Sequence, residues 1–299
     1  MNNIKSQFSI KDLENLTGIK AHTIRIWEKR YKLLEPKRTT TNIRYYDLEN
    51  FQKLLNISYL NNNGYKISKI AAIKENEIPA LIKDINSTNF TESHAINSFK
   101  VAMLNFDQNL FYKTYETLLD EKGFEKVFYD IFIPLLNEVG LLWQTHTITP
   151  AHEHFLVTLI RQKIIANTEK IQSKQANTSN KTFVLYLPEN EIHELGLMFI
   201  NYQLVNKGYK SIFLGQSVPL DNLADLQNYH DEITFVTYFT IKPIKEDLQT
   251  YIDNFNTTIL KVKNTKLWVL GQMVSHLDIK NLPKGIETFN SIQSLINKL

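Results

Sequence analysis

Between Thr182 and Gly271 four β-type runs, TFVLYL, SIFLG, ITFVTYF and KLWVLG, alternate with helical stretches of about ten to fifteen residues. No such alternation occurs earlier in the chain. Strands separated by helices pair in parallel, because a parallel partner is reached only through a long crossover. The pattern therefore predicts an α/β, doubly wound parallel sheet over 181–299. Ligands of such sheets bind outside the carboxyl ends of the strands. The segment after the first strand, PENEIHELG, is the place to search, and it holds Glu191, His193 and Gly196.

Residues 93–173 have a different texture, helical and amphipathic, as in FKVAMLNFDQNLFYKTYETLL. Four helices make a small bundle, the last one starting at Thr149-Pro150. Polar stretches, 76–92 with Pro79 and then SKQANTSNK, read as linkers on either side. The chain has no cysteine, which excludes disulfides, thiolate catalysis and Cys-ligated metal. No run is long and apolar enough to span a bilayer, so no membrane partner is expected. MNNIKSQFSI lacks the apolar core of a signal peptide, and a soluble cytoplasmic protein is the expectation.

The first 75 residues carry the charge. Ten lysines and four arginines face seven acids there, a surplus of seven, whereas the remainder has four more acids than bases. A basic head on a mildly acidic body favours a polyanionic partner for the head. Ser9 and Asp12 have capping-box spacing ahead of Leu13 and Leu16. Gly18 breaks that helix, and a second runs from about Ala21 to Tyr31. Helix, short Gly-containing turn, helix is the helix-turn-helix arrangement. EPKRTTTNIRYYD suits a small hairpin or wing. Asp47 can cap a third helix through Tyr59, and Gly64 followed by Ser68 restarts a fourth. Arg25, Lys29, Arg30 and Tyr31 on the second helix, with Arg38, Arg44 and Tyr45 at the wing, are candidate DNA contacts, since guanidinium forks and phenol hydroxyls reach phosphates and guanine edges. They could equally be a solvated surface over a core of Trp27 and Tyr31.

Over residues 7–74, TGIKAHTIRIWEKRY, the wing ending in IRYYD and GYKISKI closely resemble the winged helix-turn-helix of MerR-type transcriptional regulators. The resemblance implies that the helix from Ala21 enters the major groove of an operator and the wing holds the backbone. Many members dimerise through a long coiled coil after this domain. Here no sustained heptad follows, so self-association into a dimer or tetramer must come from elsewhere.

In the strand-end loop, a His two residues from a Glu can offer one ring nitrogen to a metal while the carboxylate holds the other. One His cannot hold a bare zinc or iron, which need about three protein ligands. It fits a metal already carried in a macrocycle, or it is a loop histidine in water. The order of bundle and α/β domain is similar to the cobalamin-binding module of methionine synthase, corrinoid proteins and a branch of MerR regulators. The module's acid-x-His-x-x-Gly is matched by Glu191, His193 and Gly196, with Thr237 at the Ser/Thr of Ser/Thr-x-Leu and Gly271 at the first of two glycines. Phe239 and Gln272 depart from it. The resemblance implies that His193 replaces cobalamin's own base on cobalt and that the displaced nucleotide tail enters the sheet. It also implies that Trp143, separated by nine residues from Glu153-His154, covers the upper, adenosyl face. The photoreceptor members have a His directly after that Trp, where this chain has Gln144.

Three functions follow for testing. The first is a non-enzymatic DNA-binding regulator, a repressor by analogy, whose cobalamin, with adenosylcobalamin favoured, sets oligomeric state and DNA affinity. The second is a regulator that has lost the cofactor and uses its C-terminal half for protein contacts. The third is a corrinoid enzyme, disfavoured by the basic head and the lack of a substrate barrel. The reading divides the chain into a head (1–75), a linker (76–92), a helical cap (93–173) and an α/β domain (181–299).

Overall fold

A computed structural model describes residues 7–62, 64–74, 77–78, 81, 92–172, 181–229, 232–261 and 264–299. Nearly all of both segments read as linkers lies outside the described residues. The chain divides into two compact units, Met1–Ile160 and Arg161–Leu299.

The first unit opens with α1 (Ile10–Thr17), α2 (Ala21–Tyr31), the paired β1 (Lys37–Arg38) and β2 (Arg44–Tyr45), α3 (Leu48–Asn62) and α4 (Ile67–Ile70). The expected capping box is present: Ser9 Oγ accepts from Asp12 N, and Asp12 accepts from Ser9 N. Gly18 ends α1 at φ +74°, a left-handed conformation that favours glycine. β1 and β2 form an antiparallel hairpin with Arg38 opposite Arg44, which is the wing. Asp47 Oδ1 accepts from Asn50 N and so starts α3, which runs three residues beyond the expected Tyr59. The fourth helix starts one residue before Ser68, with Lys66 as an N-cap that makes no side-chain bond, so Ser68 is not its cap.

The bundle follows as α5 (Glu92–Asn105), α6 (Gln108–Lys122), α7 (Ile133–Gln144) and α8 (Pro150–Gln172), the four helices expected. A turn, Phe124–Lys126, and a π-helical stretch, Val127–Phe132, lead into α7. Pro134 in the first turn of α7 has no N–H to give, and a widened turn just before it accommodates that loss. The bundle core is aromatic, with Phe99, Phe111, Tyr115, Phe128 and Phe132 buried and ring centroids 4.9–6.5 Å apart. α8 runs on across the boundary between the units.

The second unit holds β3 (Thr182–Tyr186), α9 (Leu195–Asn206), β4 (Lys210–Gly215), α10 (Asp221–Ala224), β5 (Ile233–Tyr238), α11 (Leu248–Thr258), β6 (Thr265–Leu270), β7 (Ile286–Thr288) and α12 (Ile292–Ile296). The five strands are all parallel, in the order β4-β3-β5-β6-β7. The sequence signals only four of them. β7 is three residues long and lies in a Pro- and Gly-bearing stretch, too short for a pattern. β3, β5 and β6 are apolar on both faces because helices cover both. On one face Phe235, Leu248, Ile252 and Phe255 form a continuous core. From β3 the chain moves out to β4 and then crosses back to β5. The topological switch therefore lies between β3 and β5, where a ligand crevice opens in folds of this type.

Candidate functional site

In the head, Arg25, Lys29 and Arg30 are exposed on α2 and Arg38 and Arg44 on the wing. Arg25 and Lys29, four residues apart, share one face of the helix. Tyr31 and Tyr45 are partly buried. Tyr31 packs, with Trp27, against the cluster of Leu33, Ile57, Leu60 and Ile70, and carries Arg30 over its ring at 5.4 Å. It is both core rim and a platform for a cation.

Two carboxylates set the frame of this surface. Glu14 Oε2 accepts from Ala21 N at 3.2 Å, fixing the start of α2 on α1, and this hydrogen bond, ahead of the nearby lysines, holds its carboxyl below the ordinary range. Glu28 lies on α2 itself. It accepts from the Tyr46 hydroxyl at 2.8 Å and lies 3.5 Å from the Arg44 guanidinium. The wing is thus tied to the helix that precedes it, a link the sequence reading missed. Lys37 pairs with Asp47 at 2.7 Å on the other side of the hairpin.

In the bundle, Trp143 lies in the last turn of α7 with half of its surface exposed, next to exposed Leu141. A core tryptophan would be covered. Glu153 is partly buried and His154 exposed, both in the first turn of α8. The core histidine of this region is their neighbour His152, which is fully buried. Its Nδ1 lies 2.8 Å from Thr149 Oγ1, and its ring stacks on Phe106.

At the carboxyl edge of the sheet, the loop after β3 carries Glu191 and His193. Glu191 is buried, and its Oε1 accepts from the backbone of Ile192 and His193 and lies 2.5 Å from His193 Nδ1. Its Oε2 accepts from Ile241 N and Lys242 N, at 2.7 and 2.9 Å, in the loop after β5. One carboxylate therefore joins the two lips of the switch-point crevice. Burial alone would raise its pKa, but the hydrogen bonds from the His193 ring and these N–H groups outweigh it and bring it down to about 2. An ionised carboxylate only accepts, so Nδ1 of His193 carries the proton and Nε2 presents the lone pair when the ring is neutral. The His193 side chain is 43% exposed. Ile192, Ile241 and Ile244 in the loops after β3 and β5, and Leu214 near the end of β4, are exposed. These apolar side chains are spare to the core and lie at the carboxyl-end side of the sheet.

Among the described residues no group of three or more His, Asp or Glu could hold a metal ion. A lone imidazole backed by a carboxylate fits a metal whose other ligands come from a macrocycle, and the donor set here is of that kind. The remaining predicted residues are differently placed. Thr237 is fully buried in β5, in register with Tyr186, not at the open edge. Gly196 opens α9, where a Cβ would stand 2.9 Å from the Tyr238 ring, so the bulky group that approaches this glycine is Tyr238. At Gly271, φ is +108° and a Cβ would fall 2.2 Å from Phe239 O. Glycine is needed there because the exits of β5 and β6 touch. A cavity of about 480 Å³ in this unit is lined by Arg161, Ile164, Glu194, Met198 and Phe213 among others, but by none of these site residues.

Comparison with known proteins finds two family models along the chain. Residues 8–77 match the MerR HTH family of regulatory proteins, and residues 95–166 match a B12 binding domain. The HTH-type transcriptional repressor CarH of Myxococcus xanthus is 26% identical over 224 residues, 73% of each chain. The repressor CarA of the same organism is 25% identical over 215 residues, 70% of this chain and 68% of that one. The monomethylamine corrinoid protein of Methanosarcina barkeri superposes on 70% of this chain and 98% of its own with a TM-score of 0.58, at 14% identity, a likeness of fold alone. No helix among the described residues is long and apolar enough to cross a membrane. The chain thus carries a MerR-type helix-turn-helix domain and, after it, a B12 binding domain, the combination of a DNA-binding regulator with a cobalamin-binding C-terminal half.

Proposed function

We propose that this regulator is a repressor, not an enzyme. It holds a double-stranded operator through Arg25, Lys29, Arg30, Tyr31, Arg38, Arg44 and Tyr45, and it binds cobalamin, preferentially adenosylcobalamin, in its C-terminal half. Ligand sets a dimer or tetramer, and so the avidity for paired half-sites. A soluble cytoplasmic location follows from that role.

The observation that carries the reading is Glu191. It fixes the tautomer of His193 and ties the loops after β3 and β5 beside it. Cobalamin would supply a cobalt ion already held in its macrocycle and able to take an imidazole from the protein. His193 is the residue to provide that imidazole, and Glu191 orients it. Gly196 and Gly271 lie at the exits of the strands and Thr237 lies within β5; by the family's pattern these three, with Trp143, Glu153 and His154 of the bundle, are the further residues proposed to meet the cofactor. A second reading, a regulator without cofactor, is favoured by one feature: Tyr238 fills the space beside Gly196, and Thr237 and Phe239 are fully buried.

Absorbance of the protein with adenosylcobalamin, in darkness and after green light, separates the two. Uptake with a His-ligated spectrum is expected, and loss of that spectrum in His193→Ala, with low-affinity DNA binding retained. No uptake by the parent protein favours the second reading. Equally tight binding by His193→Ala removes it as the ligand.

A further inference from the structure

The DNA-reading head and most of the helical bundle lie in one compact unit, and polar contacts far apart in sequence join them. Lys100, on α5, is 5% exposed among the buried Phe99, Ala102 and Met103. An ammonium in such surroundings is costly unless paired. Its Nζ donates to Leu16 O at 3.0 Å and to Glu138 Oε2 at 2.7 Å. Leu16 lies in the last turn of α1, whose final carbonyls have no partner within the helix. α1 has no basic residue of its own in that turn. The cation that meets its negative end is brought from the bundle.

A second contact flanks the first. Asn15, next to Leu16, donates its Nδ2 to Thr147 Oγ1 at 3.1 Å. Thr147 is fully buried and its hydroxyl lies 3.0 Å from that of Thr145, which donates to Leu141 O. Glu138 and Thr147 lie before and after Trp143 in the chain, so α1 is held on both sides of that residue's turn.

We propose that Lys100 is a positioning residue. Together with the Asn15–Thr147 hydrogen bond it clamps α1 to the Trp143 end of the bundle. Glu14 fixes the start of α2 on α1, so the clamp sets the angle of the recognition helix to the cap. The regulatory consequence, that ligand against Trp143 reaches α2 through this clamp, rests on the function proposed above. The clamp itself does not.

The chain has no cysteine, so an introduced pair takes spin labels alone. Glu49→Cys on α3 and Glu121→Cys on α6 place exposed labels on head and bundle. In the full-length protein one narrow distance is expected. Lys100→Met is close in shape and leaves only the half-exposed Glu138 and one carbonyl to be hydrated, so the fold survives. It should lose the narrow distance with unchanged circular dichroism, and so should Asn15→Ala with Thr147→Val. Lys100→Arg should restore it. Adenosylcobalamin uptake should persist in the loosened variants, while its effect on DNA affinity is lost. A distance as narrow in all variants as in the parent overturns the clamp. If Lys100→Met does not fold, the Asn15→Ala and Thr147→Val variant decides. Failure of the parent to take up cobalamin sinks the ligand reading, and the distances still judge the clamp.

Discussion

Glu191 holds His193 by its Nδ1 at 2.5 Å, from a position that is itself 1% exposed. The same carboxylate receives two backbone N–H groups from the opposite lip, so its loss has two separable effects. Glu191→Gln keeps an acceptor but loses the charge that fixes the tautomer. Losses of this kind typically cost about 10–100-fold in metal affinity, with little loss of fold. Glu191→Ala leaves the N–H groups of Ile241 and Lys242 without a partner, costing ~1–3 kcal/mol each where water cannot reach. Cobalamin titration by absorbance, beside thermal unfolding, distinguishes the two. If Glu191→Gln takes up cobalamin as tightly as the parent and only Glu191→Ala is destabilised, the carboxylate only closes the loops.

Operator binding is expected to depend on Arg25 more than on Arg44. Arg25 is exposed on α2, whereas Arg44 already lies near Glu28 and must share its charge. Arg25→Ala should cost ~1–3 kcal/mol if the contact is bidentate to a guanine. Arg38→Ala, a backbone contact, should instead weaken all sequences alike and flatten the salt dependence. Fluorescence anisotropy on promoter DNA across a salt series measures both. Equal losses for all three arginines on every sequence would leave only non-specific attraction.

The wing has an acid limit of its own. Asp47 is lowered from 3.8 to about 2, chiefly by Lys37 and then by the backbone of Asn50. A carboxyl lowered on folding stabilises the folded state above its unfolded pKa, and the contribution fades as pH falls from about 3.8 to about 2. With Asp47 partly solvated, the amount is discounted to ~1 kcal/mol. Asp47→Asn should therefore lower the unfolding midpoint clearly at pH 7 and by a much smaller amount at pH 2.5. A gap between the two proteins that stays constant over that range would remove Asp47 as the cause.

How far these sites could be read from sequence depends on the range of the contacts. Ser9, Gly18 and Asp47 act within four residues, and each was legible. So were the strands long enough to show a pattern, and β7, at three residues, was not. Glu191 and His193 could be singled out because they are two residues apart. The second task of Glu191 lies fifty residues away, at Ile241 and Lys242, where backbone N–H groups leave no mark in sequence. Lys100 on Leu16 is less legible still, because a lysine in an amphipathic helix reads as solvated. Thr237 and Gly271 were chosen by a pattern of identities, and burial and backbone crossing decide where they stand.

Trp143 offers a test in which stability and recognition come apart. It is half exposed at the end of α7, so truncation opens no cavity and removes little buried area. Trp143→Ala should leave the unfolding midpoint close to that of the parent. If the ring covers the upper face of the ligand, the loss falls on whatever group projects there. Adenosylcobalamin should weaken, methylcobalamin should change little, and the preference between them should shrink. Trp143→Phe, which keeps an aromatic plane, should recover part of it. Competition between the two cobalamins, followed by absorbance in the dark, gives the ratio directly. A preference unchanged by Trp143→Ala would mean that the exposed ring serves another surface, and Leu141 beside it, 57% exposed, would then be the next residue to truncate.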